Sequence, residues 1–160
     1  MLKRNGHEVK NITLGNLYEV FRKIGTNVQV NTTTVGDIFE VDLKETTYPL
    51  LHVATENASY DTNTLTYTFQ IIVMDLVSKD ESNEEYVLAD TLQTIGDVIS
   101  YLRNTEDLLT NLTDYRNNVR LQDNVTCEPF TERFDNEVTG WTASISIQVA
   151  FEASACTGLI

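Results

Sequence analysis

Strict alternation of apolar and polar residues in two stretches constrains the fold of this chain most. Residues 62–77 alternate at first and then become almost wholly apolar, whereas residues 141–151 alternate over their whole length. Successive side chains of a strand point to opposite faces, so both stretches predict long strands with a buried face. Aromatic residues fall in step with the apolar positions, which favours a core role over a base-stacking or sugar-stacking surface. The predicted core residues of these strands are Tyr67, Phe69, Trp141 and Ile145.

Between these stretches, residues 84–104 carry the clearest helical pattern. Leucine and isoleucine recur there at spacings of three and four, which places them on one helical face. We expect this face to pack on the strand at 62–77, with Leu92 and Ile95 in the core. The apolar stripe consists of Leu88, Leu92, Ile95, Ile99 and Leu102.

The N-terminal half predicts a short helix followed by strands. Apolar residues from position 14 to 24 have helical spacing, and Gly25 follows as the predicted C-terminal cap. Residues 28–30 and 39–43 alternate and predict two half-buried antiparallel strands. Residues 50–53, after Tyr48 and Pro49, predict a third short strand.

The remaining segments complete a single domain over residues 1–160. Residues 1–11 are predicted to form a mobile arm, and residues 105–118 fit a second short helix or a loop equally well. Residues 125–131 pair with the last strand in a predicted terminal hairpin. The expected fold class is α+β, an antiparallel sheet with one long and one short helix packed on one face.

Composition excludes several function classes. Eleven basic and 24 acidic residues give a net charge of −13, which opposes nucleic-acid binding because that affinity comes largely from Lys and Arg displacing condensed cations. The start has no apolar run of signal-peptide length, and nowhere do about 18 apolar residues follow one another. We therefore expect a chain that is neither exported by a signal peptide nor inserted in a membrane.

Groups suited to catalysis are few. Of the two histidines, His7 lies in the predicted arm, and His52 lies in an apolar run where a hydrogen-bonded structural histidine is the favoured interpretation. Neither Cys127 nor Cys156 has the basic or helix-start surroundings that activate a thiol. Phosphate-binding glycine motifs are missing from the sequence. We predict that the chain is not an enzyme and has no cofactor and no metal site; a hydrolase using His52 and a carboxylate ranks last.

The densest acidic run spans residues 80–85. Oxygen ligands at alternate positions suit a hard cation such as calcium, but the mid-loop glycine and the final glutamate of an EF-hand are missing. A solvated turn leading into a helix, capped by Ser82 or Asn83, is the favoured interpretation. The candidate acidic surface consists of Asp80, Glu81, Glu84 and Glu85.

The amino-acid sequence of the C-terminal half resembles that of small virion proteins of tailed bacteriophages. The segments that carry this resemblance are 69–77 (FQIIVMDLV), 78–83 (SKDESN), 89–102 (ADTLQTIGDVISYL) and 134–143 (FDNEVTGWTA). They look like the neck, connector and tail-terminator ring subunits, most like those of crAss-like phages. The similarity covers residues 65–153 and extends to the N-terminal quarter only through its leading helix.

This resemblance implies a structural protein of the virion, assembled in the host cytoplasm. It implies a subunit that joins copies of itself into a closed ring of about six or twelve at the head–tail junction or upper tail. The portal or other connector and tail proteins would be its neighbours, and DNA would pass through only as cargo. The alternative is a small-ligand-binding α+β domain without catalysis, with its pocket between the sheet and the helix at 84–104.

Overall fold

The computed structural model describes residues 3–4, 7–8, 12–42, 45–104, 119–129 and 138–151. The predictions for residues 105–118, and for most of the arm at 1–11, therefore lie outside the described residues. The described chain is an α+β fold, as predicted, in which two helices pack on a six-stranded sheet.

Within the described residues, eleven elements follow one another. They are β1 (Lys3–Arg4), β2 (His7–Glu8), α1 (Leu14–Asn27), β3 (Thr32–Val35), a 3₁₀ turn (Ile38–Glu40), β4 (Leu50–Tyr60), β5 (Thr64–Leu76), α2 (Glu84–Arg103), β6 (Val119–Leu121), β7 (Cys127–Pro129) and β8 (Val138–Ala150). Strands β1 and β2 form a separate antiparallel pair. The large sheet has the order β3-β4-β5-β8-β6, and β7 also pairs with β8.

The two long predicted strands form the centre of the sheet. β5 and β8 pair antiparallel from Thr64 opposite Ala150 to Leu76 opposite Val138. Their alternate residues are buried on one face, including the predicted core residues Tyr67, Phe69 and Ile145, whereas Trp141 is half-buried at its edge. Both helices pack on this face.

Helix α1 begins with a capping box and packs closely on the sheet. Thr13 Oγ1 accepts a hydrogen bond from the Asn16 backbone N–H, and Asn16 Oδ1 accepts one from the Thr13 backbone N–H. The prediction that Gly25 caps this helix is wrong, because α1 continues to Asn27. Gly25 is buried inside the helix, where a Cβ atom would overlap the side chain of Thr33, so glycine permits close approach to β3.

Helix α2 confirms the predicted long helix but not all of its predicted face. Ile95 is fully buried, whereas Leu92 is 40% exposed, so the placement of Leu92 in the core is wrong. The side that faces the sheet includes two threonines, whose hydroxyls are satisfied within the helix: Thr91 Oγ1 donates to the Val87 carbonyl at 2.7 Å. The residues of α2 that are buried are Val87, Thr91, Thr94, Ile95, Val98 and Leu102.

The segment between α1 and β4 differs from the two predicted antiparallel strands at 28–30 and 39–43. The strand there is β3, displaced to Thr32–Val35, and it pairs parallel with β4, so the sheet is mixed rather than antiparallel. Alternation reports which residues are half-buried and carries no information on strand direction. The 3₁₀ turn follows, and apolar residues near it cover the far face of the sheet at one end. The side chains in this second cluster are Ile38, Val41, Tyr48, Leu50, Ile72, Met74 and Val138.

The short strand predicted at 50–53 is the first part of a much longer one. β4 continues to Tyr60, and its last six residues are exposed. Because neither face of that part is buried, the sequence there has no alternation to mark it as strand. The predicted terminal hairpin is represented by the pairing of β7 with β8, Cys127 opposite Ala143, and the connection at 130–137 lies outside the described residues.

Candidate functional site

His52, the histidine considered as a base, is a structural residue. It is fully buried in β4. Its Nε2 atom lies 2.9 Å from the Gly36 carbonyl and therefore donates, while Nδ1 lies 2.7 Å from Thr34 Oγ1. Burial lowers the pKa of His52 below its ordinary value, which favours the neutral ring. The ring therefore joins β3 and the turn after it to β4 through hydrogen bonds. Because the ring is fully buried, a substrate cannot contact it.

This arrangement predicts a loss of stability in mild acid. The unfolded chain takes up a proton on His52 as the pH falls below about 6.5, whereas the folded chain does so only at lower pH, so protons favour unfolding in that window. We expect the free energy of unfolding to fall between pH 7.5 and 5.5, by about 1.4 kcal/mol for each unit of pKa depression. Denaturant titrations of the parent and of His52→Gln measure this, since the variant lacks the titrating ring. An equal pH dependence in the two proteins would contradict the assignment.

The acidic run forms a turn that leads into α2. Asp80 Oδ1 accepts hydrogen bonds from Ser78 Oγ at 2.9 Å and from the Ser82 backbone N–H at 3.1 Å, and hydrogen bonds from Ser82 and Ser78 lower the pKa of Asp80. Asn83 is the N-cap residue, but its side chain accepts from the Ser78 backbone N–H instead of capping the helix. Of the candidate acidic surface, Asp80 and Glu81 lie in this turn, and Glu84 and Glu85 lie in the first turn of α2. Asp80, Glu81 and Glu85 are exposed, and Glu84 is half-buried.

Two other reactive groups have ordinary structural surroundings. Asp75 follows the apolar run of β5, where burial raises its pKa, and its Oδ1 accepts from the Leu76 backbone N–H at 2.7 Å. Burial also raises the pKa of the half-buried Cys127 thiol, which opposes formation of a reactive thiolate. Cys156 lies outside the described residues. Among the described residues, no group of three or more His, Cys, Asp and Glu side chains is placed to hold a metal ion.

A cleft of about 470 Å³ lies beside β3. Its walls combine carboxylates and threonine hydroxyls, a lining that favours a cationic ligand over an anionic one. This cleft is at a different place from the pocket of the ligand-binding alternative, which was expected between the sheet and α2. The polar lining residues are Thr32, Thr34, Asp37, Glu40, Asp42, Glu45, Thr46 and Thr47.

One edge of the sheet is open along the second half of β4. β3 pairs only with the first four residues of β4, from Leu50 to Val53. Among the described residues, no strand pairs with the outer edge of residues 54–60. A β-bulge lies between Thr55 and Asn57, and Glu56 is the one charged residue of the strand. Backbone groups along such an edge are free to bind a further strand.

The opposite edge of the sheet is formed by β7 and, further along β8, by β6. β6 pairs on one side with β8, Val119 opposite Val149 and Leu121 opposite Ile147, and no described strand pairs with its other side. Its central residue, Arg120, is highly exposed, and its guanidinium nitrogen lies 4.0 Å from a carboxylate oxygen of Asp123. Such an exposed ion pair contributes little to the stability of the fold. Neither Glu56 nor Arg120 is suggested by the sequence alone, since the strands that carry them are not predicted there.

Away from the apolar cluster at one end, the face of the sheet opposite the helices is polar and has few charged residues, one of which is Glu128, opposite Thr142. We call it the open face. Glu56 lies on it, since its Oε2 accepts from Ser144 Oγ at 3.4 Å. Arg120 lies on it too, because it is opposite Gln148. The uncharged residues that form the open face are Asn57, Ser59, Thr66, Thr68, Gln70, Ser144, Ser146 and Gln148.

Comparisons with known proteins add no family to these observations. No protein-family model matches the chain, and no curated protein matches it. Within the described ranges, neither helix is long and apolar enough to cross a membrane.

Proposed function

We propose that this protein is a structural ring subunit of a tailed-phage virion, at the head–tail junction or in the upper tail. The observation that carries the proposal is a pair of sheet edges that no described strand covers, one on β4 and one formed by β6 and β7, on opposite sides of the domain. Different edges on opposite sides suit head-to-tail contacts, which close into rings when successive rotations add up to a full turn. The resemblance of residues 65–153 to neck, connector and tail-terminator proteins supports the same role.

The charge of the chain suits a channel through which DNA passes without being held. At −13, the protein offers phosphates little counter-ion release, and DNA bound tightly in a channel would not travel. The same charge opposes assembly, because closing a ring brings like-charged subunits together. Contact with the portal or with another connector ring would then help to drive closure.

The proposal predicts how the purified protein responds to salt. Raising the ionic strength from about 0.01 M to about 0.15 M shortens the Debye length from about 30 Å to about 8 Å, which weakens the repulsion between subunits. We therefore expect the oligomer fraction, measured by light scattering or mass photometry, to rise with ionic strength. Retention on a DNA column should be negligible even at low salt. Salt-sensitive DNA binding by the isolated protein would contradict the channel role.

Imaging of the source particle tests the location directly. Cryo-electron microscopy of intact virions should show density for this fold as a ring between the portal and the tail tube. Density for the fold elsewhere in the particle, or its absence from the particle, would overturn the proposal.

The cleft beside β3 favours a second candidate, a small-ligand-binding domain without catalysis. Its lining of carboxylates and hydroxyls suits a small cation such as a polyamine. On this alternative the protein stays monomeric at all salt concentrations, and a polyamine raises its melting temperature in a concentration-dependent way. A ring subunit instead shows the salt-dependent assembly described above.

A further inference from the structure

We propose that two copies of this chain associate through α2, whose exposed side packs antiparallel on the same side of α2 in the second copy. The contact has two-fold symmetry and uses neither edge of the sheet, so it does not depend on the proposed ring. We call the surface that forms it the α2 strip. Its residues are Glu85, Ala89, Leu92, Gly96, Ile99 and Arg103.

The α2 strip follows one line along the helix. Its residues succeed one another at spacings of four, three, four, three and four, which keeps them on one side of a helix. Glu85 and Arg103, at its two ends, are separated by about five complete turns at 3.6 residues per turn, so they project in the same direction. The strip is therefore straight and about 27 Å long.

Most of the α2 strip is exposed. Leu92 is 40% exposed, Ile99 is half-buried, and the other four residues are exposed. The residues that α2 buries are centred about 130° around the helix from the strip, at 100° per residue. Because this angle is larger than a right angle, the sheets of both copies point away from the contact.

Charge makes the α2 strip complementary to itself. Glu85 lies in the first turn of α2 and Arg103 in the last. When two copies pack antiparallel, with the two-fold axis midway along the strip, Glu85 of each copy lies level with Arg103 of the other, and an ion pair forms at both ends. Arg103 Nη2 also donates to the Asp123 carbonyl at 2.9 Å, which leaves other guanidinium donors for the second copy.

The same charges oppose the other orientation. Parallel packing would place two glutamates at one end of the contact and two arginines at the other. The remaining charged residues of α2 do not face the second copy, because each lies about 100° or more around the helix from the strip. These residues are Glu84, Asp90 and Asp97.

The middle of the α2 strip is apolar and shaped for a close contact. In the antiparallel arrangement Leu92 of one copy lies level with Gly96 of the other, and Ala89 lies level with Ile99. Nothing lies within 4 Å of the position that a Gly96 Cβ atom would take, so the described fold itself does not require glycine there. Glycine lowers the stability of a helix, and a recess for Leu92 of a second copy gives a physical reason for its presence.

Charge reversal tests the ends of the contact. Glu85→Arg and Arg103→Glu each replace both ion pairs by pairs of like charge. We expect each variant to raise the dissociation constant of the dimer about tenfold, measured by sedimentation equilibrium at about 0.15 M salt. The double variant Glu85→Arg with Arg103→Glu restores both ion pairs with their charges exchanged, and should recover most of the parent's association.

Gly96→Gln tests the middle of the contact and separates association from folding. Glutamine is a better helix former than glycine, so this variant should be at least as stable as the parent in denaturant. Its side chain fills the recess that Leu92 of the second copy occupies, and we expect the dimer to dissociate at least about tenfold more readily. Weaker association of a protein that is no less stable cannot result from unfolding.

Matched controls separate the contact from net charge. Asp97→Arg and Lys79→Glu make the same charge changes at exposed positions away from the α2 strip, and each should dimerise like the parent. A parent that stays monomeric up to about 1 mM would overturn the contact, and this is the result expected if another part of the same chain covers the strip. Assembly that the strip variants leave unchanged would also overturn it, while leaving the ring role standing. A double variant that associates no more tightly than the single variants would overturn the antiparallel pairing.

Discussion

Replacing Gly140 by alanine is expected to destabilise the protein by about 3 kcal/mol or more, near the upper end for overpacked sites. Gly140 is buried in β8 opposite Met74 of β5. A Cβ atom at this position would overlap the carbonyl oxygen of Val73 and lie 2.8 Å from the Met74 Cα atom. Because these are backbone atoms of the central strand, relief requires the β5–β8 ladder itself to move. Chemical denaturation measures the loss.

Gly96→Ala is the matched control for this substitution. Gly96 is exposed in α2, and nothing lies within 4 Å of the position that its Cβ atom would take. Alanine is favoured over glycine inside a helix by about 1 kcal/mol, so we expect this variant to be more stable than the parent. A Gly140→Ala protein as stable as the parent would show that the two central strands are not as close as the structure has them.

Phe69→Ala is expected to cost about 3–5 kcal/mol. Phe69 is fully buried at the centre of the core, and its ring packs edge-on against Phe21 of α1, with centroids 5.1 Å apart. The ring also neighbours Tyr67 at 6.1 Å, whose hydroxyl donates to the Ile12 carbonyl. Removing the phenyl group leaves a cavity between α1 and the sheet and removes the contact that orients the helix. Equilibrium unfolding in urea measures the effect.

Leu92→Ala provides the comparison for Phe69→Ala. The helical pattern alone predicts a loss of about 2–5 kcal/mol for this substitution, as for any buried leucine. Because Leu92 is 40% exposed, we expect a cost of about 1 kcal/mol or less. A cost as large as that of Phe69→Ala would mean that α2 packs with its leucine stripe inward and that the observed rotation of the helix is wrong.

Both central strands and α2 could be predicted from the sequence because their patterns are long and because one face of each is buried over most of its length. β5 and β8 have 13 residues each, and their buried residues alternate over Thr64–Ile71 and over Ala143–Ala150, as the sequence does there. The placement of His52 as a hydrogen-bonded structural residue could be predicted as well, because its neighbours in the run 50–53 are apolar. A histidine among them needs partners for both ring nitrogens.

Other features depend on contacts between distant segments. The rotation of α2 could not be predicted from its pattern, because the leucine stripe and the threonine side are both compatible with burial once Thr91 and Thr94 bond to the carbonyls four residues earlier. Parallel pairing of β3 could not be predicted either. It depends on how the chain between Gly36 and Pro49 returns to the sheet, and alternation does not encode that path.

The sequence by itself determined the elements in which buried residues recur at a regular spacing, namely the central strands and the long helix. Together these elements determined the α+β class. Only the tertiary structure decided the candidate assembly surface. Residues 55–60 are exposed on both faces of the sheet, and β6 has three residues, so neither leaves a periodic signal. That Glu56 and Arg120 occupy open edges at the same end of one sheet is a consequence of strand order and register. These depend on pairing between residues far apart in the chain, which no local pattern records.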